Sequence, residues 1–158
     1  MPTVLIADDD ADHRELLGLA LRRAGYDVVV TNDAAGAMEQ LRDGGFDAAL
    51  FDVRMPGESG IELCRRLRAE PGTALLPVML ISADVNDRQI IAALHAGADD
   101  YVTKPFHRSE LAARLDNLLI RKAAPAARSA VVATAAVMAA HRALRTPAVP
   151  AIEARRTA

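Results

Sequence analysis

The chain has 158 residues, 51% hydrophobic and 25% charged, a balance that suits one globular domain or one domain with an extension. Its single cysteine, Cys64, excludes an internal disulfide. The start, MPTVLIADDD, lacks the basic region of a secretory signal, and no apolar run reaches the ~20 residues of a membrane span, so a cytoplasmic protein without a transmembrane segment is expected. The net charge of −2 hides an asymmetry: residues 1–120 carry 12 Lys+Arg and 20 Asp+Glu, whereas residues 121–158 carry 7 and 1. An acidic body followed by a basic tail implies two units, residues 1–122 and 123–158.

Apolar runs alternate with helical patterns along the body. Thr3 to Ala7 reads as a strand that ends in Asp8, Asp9 and Asp10. Asp12 is expected to cap a helix from His13 to Ala24, with Leu16, Leu17, Ala20 and Leu21 inward and Gly25 as its stop. Val28 to Val30 is a short strand, and Asp33 opens a helix that runs to Arg42 before Gly44–Gly45. The third strand is Asp47 to Asp52. Ser59 or Gly60 starts a helix to Ala69, ended by Pro71–Gly72. Pro77 to Ser82 is the fourth strand. Asn86 caps a helix to Ala96, with Gly97 just past its end. Asp100 to Thr103 is the fifth strand, and His107 to Arg121 the last helix, with Leu111, Leu115, Leu118 and Leu119 inward. His13, His95 and His107 read as helix-surface residues, and Cys64 as a small core residue.

Five strand-then-helix repeats, with strands apolar on both faces, predict a doubly wound α/β parallel sheet covered on both sides. Chemistry in such a sheet gathers at the carboxyl ends of the strands. Those ends supply Asp8 and Asp9, then Asp52, then Ser82, then Thr103, Lys104 and Pro105; the second strand, ending in Thr31 and Asn32, adds nothing sharp. Three carboxylates on one rim repel, and a hard divalent cation such as Mg²⁺ relieves the repulsion through oxygen ligands. A lysine and a hydroxyl beside it suit a transferred phosphoryl group. Asp52 is then the candidate nucleophile, accepting phosphoryl as an aspartyl phosphate.

Four stretches, VLIADDD (4–10), ALFDVRMPGESGIELC (49–64), PVMLISAD (77–84) and AGADDYVTKPF (96–106), resemble in order and spacing the receiver domains of two-component response regulators. The resemblance covers residues 3–121. It implies a flavodoxin-like five-stranded sheet of order 2-1-3-4-5, and it implies that Asp52 accepts phosphoryl from a histidine kinase or phosphotransfer protein. On the same footing, Asp9, Asp52 and the backbone carbonyl of Arg54 would ligate Mg²⁺, with Asp8 acting through water. Lys104 would contact the carboxylate and then the phosphoryl group. Ser82 and the backbone N–H of Ala83 would hold phosphoryl oxygens, and Tyr101 would turn inward with Ser82 as the switch. The Lys104–Pro105 bond would be cis. Such a domain signals rather than turning over a substrate. Arg54 and Asp84, two residues beyond Asp52 and Ser82, are expected to pair across the mouth of the site and modulate access. Residues 87–122 look especially like receivers that precede a winged-helix DNA-binding domain. Asp100, Glu110 and Arg114 fit the salt-bridge pattern of a homodimer formed through the fourth helix, fifth strand and fifth helix, although Ile90 stands where a basic partner is usual.

Residues 123–158 are Ala-, Arg- and Pro-rich, with too little distinct core for a winged-helix output, so no direct DNA-binding domain is expected there. A mobile, partly helical tail is the simple reading, and a docking segment for an acidic surface, membrane face or nucleic acid the sharper one. Two other phosphate-handling classes fail on single residues. A dehalogenase-type phosphatase needs a second Asp where Arg54 stands, and a flavodoxin needs a glycine- and hydroxyl-rich loop where DDDADH stands. A phosphate-independent interaction module, or a receiver that acts through its basic tail, is the alternative.

Overall fold

A computed structural model describes residues 1–84 and 86–123. Its strands are β1 (Thr3–Ala7), β2 (Asp27–Thr31), β3 (Ala48–Asp52), β4 (Val78–Ser82) and β5 (Asp100–Thr103). The helices that alternate with them are α1 (Ala11–Arg23), α2 (Ala34–Arg42), α3 (Gly60–Ala69), α4 (Asp87–His95) and α5 (Arg108–Ala123). The strands form one parallel sheet of order β2-β1-β3-β4-β5, as the sequence predicts. The expectations placed on the tail beyond Ala123 lie outside the described residues.

Side chains alternate across the sheet, so each strand feeds two cores. Val4, Ile6, Ala48, Leu50, Met79, Ile81 and Val102 pack with Leu17 and Leu21 of α1 and Leu111, Leu115 and Leu118 of α5. Helices α2, α3 and α4 contact one another in sequence, and their Met38, Leu63, Leu67 and Ile90 are fully buried. Strands β3 and β4 are buried at every position, whereas β2 is half exposed, as an edge strand should be. Ile90 therefore belongs to the core rather than to a surface charge network. Cys64 is also core: burial pushes its thiol up to about 11, and its Sγ lies against the carbonyl of Ala96. Among the described residues no helix is long and apolar enough to cross a membrane.

The caps follow from side-chain oxygens that satisfy the free N–H groups of a first turn. Asp33, Ser59 and Asn86 cap α2, α3 and α4 as expected. Gly97 takes φ +100° just past α4, a conformation that glycine adopts without a Cβ penalty. The start of α1 needs correction. Asp10, not Asp12, is its cap, accepting from the N–H groups of Asp12 and His13 at 3.0 and 3.2 Å. The helix begins two residues early, and Leu16 is 49% exposed rather than inward. Leu119 is only partly buried against the core.

Candidate phosphoacceptor site

The carboxyl ends of β1, β3, β4 and β5 converge because those strands are neighbours in the sheet. Asp8 leaves β1 with its side chain 1% exposed. Its Oδ1 accepts from the N–H of Asp10 at 3.0 Å, its backbone carbonyl accepts from Arg14 Nη1 at 2.8 Å, and its Oδ2 contacts Nδ1 of His13. Burial alone would push the Asp8 carboxyl up. The His13 hydrogen bond, the Asp10 N–H and the charges of His13 and Lys104 outweigh it and hold the carboxyl below its ordinary range.

Asp52 ends β3 with its side chain 9% exposed, because the sheet's hydrogen bonding continues past it: Val53 N–H donates to Ile81 O at 2.9 Å. One carboxylate oxygen accepts from the Arg54 N–H at 2.9 Å, the other from Lys104 Nζ at 2.6 Å. Lys104 is positioned by its own backbone, whose N–H donates to Ser82 O at 2.8 Å; the Lys104–Pro105 bond that follows is cis, as anticipated above. Ser82 ends β4, 1% exposed, and its Oγ accepts from the Asp84 N–H at 3.0 Å. Tyr101 is turned inward, 3% exposed, and its hydroxyl donates to Asp84 O at 3.1 Å. Burial raises the Tyr101 pKa, and the carboxylates of Asp84 and Asp52 add to the rise.

Arg54 and Asp84 pair at 2.9 Å, as anticipated. Arg54 also lines an open pocket of about 400 Å³ with Asp9, Met55, Ser59 and Gln89. Asp9 is exposed on that rim, so it sits beside the buried pair rather than within it; Ala83 is exposed between Ser82 and Asp84. A histidine joins the two buried carboxylates. Ligand atoms of Asp8, His13 and Asp52 lie within 4.8 Å of one another. His13 is thus a site residue, not the surface residue expected. Its signal was in the sequence: it stands four residues before Leu17 and eight before Leu21, on their buried stripe.

Residues 4–116 match the family described as response regulator receiver domain. The chain belongs to that family. As a receiver it is 41% identical over 119 residues to the phosphate regulon transcriptional regulatory protein PhoB of Pseudomonas aeruginosa, covering 75% of this chain and 52% of that one. It is 42% identical over 118 residues to the transcriptional regulatory protein CseB of Streptomyces coelicolor, covering 75% and 49%. It thus spans about half the length of the curated relatives it matches. A response regulator structure from Chloroflexus aurantiacus superposes with a TM-score of 0.73 at 40% identity, covering 76% of this receiver and 99% of that chain. The receiver domain of a Francisella response regulator gives 0.72 at 33%, covering 77% and 98%. Both confirm the flavodoxin-like fold of a two-component signalling domain.

Proposed function

We propose that this receiver accepts a phosphoryl group on Asp52 from a histidine kinase or phosphotransfer protein, in a Mg²⁺-dependent reaction. The observation that carries the reading is the Asp52 carboxylate, buried at a strand end beside a second buried carboxylate and bound by Lys104 at 2.6 Å. Asp8, Asp9 and Asp52 set three carboxylates against the single ammonium of Lys104. Oxygen donors in that excess fit a hard dication. Asp9, Asp52 and the Arg54 carbonyl would hold Mg²⁺, with Asp8 through water, and the ion would supply charge neutralisation for phosphoryl oxygens.

In the transfer, a carboxylate oxygen of Asp52 attacks phosphorus. The new O–P bond forms as the N–P bond of the donor phosphohistidine breaks, and the electron pair stays on the imidazole nitrogen. Lys104 shifts from carboxylate to phosphoryl oxygen. Ser82 Oγ moves to donate to another phosphoryl oxygen beside the Ala83 N–H, and that movement draws it away from the Asp84 N–H it accepts from. Tyr101 donates to Asp84 O in the same loop, so phosphorylation reaches the surface of α4, β5 and α5. That surface is the candidate face for a partner or for a homodimer. Arg114 binds Asp100 at 3.0 Å and Glu110 at 3.2 Å within one copy, so a dimer built on these charges must exchange them.

The test is intact mass after incubation with acetyl phosphate and Mg²⁺. Wild type gains one phosphoryl group, ~80 Da, and Asp52→Asn gains none. Equal gain in both would end the assignment of Asp52. No gain in either, together with unchanged NMR shifts at Ser82 and Tyr101 on adding beryllofluoride, would make the domain a phosphate-independent module.

The Arg54–Asp84 pair spans the mouth of this site and hinders the water that hydrolyses the aspartyl phosphate. Arg54 is 76% exposed, and exposed ion pairs are worth ~0–1 kcal/mol, so the effect falls on rate rather than fold. Arg54→Ala shortens the phosphoryl lifetime about two- to fivefold, measured by mass after the donor is removed. An unchanged lifetime would dismiss the gate.

A further inference from the structure

His13 is fixed at its backbone and at its ring. Its backbone N–H donates to Asp10 Oδ1 at 3.2 Å in the first turn of α1. Its side chain is 19% exposed, on the stripe that continues to Leu17 and Leu21. Phe106, two residues beyond Lys104, meets the ring edge-on, with centroids 6.2 Å apart and planes at 69°. So fixed, the ring turns Nδ1 onto Asp8 Oδ2 at the place where Asp8 and Asp52 converge.

An imidazole changes what such a site selects. Mg²⁺ wants oxygen ligands at near-ideal octahedral positions and gives up water reluctantly. Imidazole nitrogen suits Co²⁺, Ni²⁺, Cu²⁺ and Zn²⁺, and affinity for mixed nitrogen and oxygen sites rises along that series before falling at Zn²⁺. Ligand atoms sharing one such ion at ~2.1 Å stand ~3–4 Å apart. A group that spans 4.8 Å closes onto a cation through small side-chain movements.

We infer that His13 is a metal ligand, and that Asp8, His13 and Asp52 together take a first-row transition-metal dication of the Co²⁺-to-Zn²⁺ class. The inference rests on the proposed acidic metal site, shares Asp8 and Asp52 with it, and sets a nitrogen donor beside them in place of Asp9. Its consequence is that the receiver distinguishes these ions from Mg²⁺ by more than an oxygen-only site does, at the carboxylate proposed to accept phosphoryl.

The experiment is calorimetric titration of the full chain with Zn²⁺ and, separately, Mg²⁺, together with the visible absorption of the Co²⁺ form and imidazole ¹⁵N shifts on adding Zn²⁺. Loss of one ligand or its support costs ~10–100-fold in metal affinity. His13→Leu and His13→Asn each weaken Zn²⁺ by that factor, leave Mg²⁺ within about threefold, and shift the Co²⁺ bands toward an oxygen-only spectrum. Replacing His95, His107 and His141 together keeps the tight site. Unchanged Zn²⁺ affinity and Co²⁺ bands in both His13 variants would overturn the inference, leaving His13 as a support for Asp8. Mg²⁺ binding would persist in that case, weakened by Asp52→Asn. Failure of wild type to bind either ion would instead overturn the acidic metal site itself.

Discussion

Lys104→Ala slows phosphoryl uptake about 100-fold or more and at the same time tightens Mg²⁺ binding about tenfold. The opposite signs follow from one contact. Lys104 Nζ sits 2.6 Å from an Asp52 oxygen, so it neutralises the carboxylate and also occupies ground that a cation needs. At an effective dielectric of ~20, a dication and an ammonium ~6 Å apart repel by several kcal/mol. The lysine stem can swing aside, so about tenfold, or ~1.4 kcal/mol, is what shows in the affinity. Chemistry loses more. Removing one prearranged charge from a reacting group costs ~10²–10³ in rate. Without metal the variant is also less stable, because two buried carboxylates have lost their ammonium, and saturating Mg²⁺ returns much of the loss by mass action. Calorimetry, thermal melts with and without Mg²⁺, and intact mass over time read the three effects. Weaker Mg²⁺ binding alongside slower uptake would mean that Lys104 acts by shaping the loop.

The sequence made the strand ends readable because a parallel sheet buries its strands on both faces. A polar residue at the end of such a run is conspicuous: Asp8 after LIA, Asp52 after ALF and Ser82 after MLI are each the first polar group beyond buried apolar ones. The caps of α2, α3 and α4 fall at Asp33, Ser59 and Asn86, each the last polar residue before the helical pattern that the sequence marked. The choice failed at α1 because DDDAD offers four aspartates, and Asp10 rather than Asp12 is the cap. Choosing Asp12 moved the helix start by two residues, and the apolar pattern that placed Leu16 inward counted one leucine too many, since Leu17 and Leu21 carry the burial.

The same choice hid His13. A helix that starts at His13 makes it the first residue, whereas a helix that starts at Ala11 places it inside the first turn, four residues before Leu17. Histidine also carries no fixed hydrophobic signal, so only the i, i+4, i+8 spacing could have marked it. The Tyr26 hydroxyl, which donates to Asp116 of α5, had no sequence signal at all, since its partner is 90 residues away. Arg68 was equally hidden: its guanidinium donates to the carbonyls of Gly97 and Leu76 and to Asp99, tying α3 to the loops that precede β4 and β5.

Gly60→Ala destabilises the domain by about 3 kcal/mol and slows phosphoryl uptake tenfold or more, although Gly60 has no side chain to offer the site. SG in the sequence reads only as a helix start. Gly60 needs no unusual backbone conformation, so the requirement is space. A Cβ built there would lie 2.4 Å from the backbone oxygen of Asp52 and 3.0 Å from its carbonyl carbon. Backbone at the end of a central strand cannot swing aside as a side chain would. Overpacking of this kind costs ~1–3 kcal/mol and at times more. At ~4 °C per kcal/mol, Tm falls by about 10 °C. The displaced unit is Asp52, the proposed phosphoacceptor, and a reacting group misplaced by ~1 Å can lose ~10² in rate. Gly72→Ala is the control: nothing lies within 4 Å of its Cβ, so Tm stays within about 2 °C and uptake is unchanged. If Gly60→Ala melted alongside Gly72→Ala, the helix would not be packed directly on Asp52. If it melted early yet took up phosphoryl at the wild-type rate below its Tm, the packing would hold but would not position the acceptor.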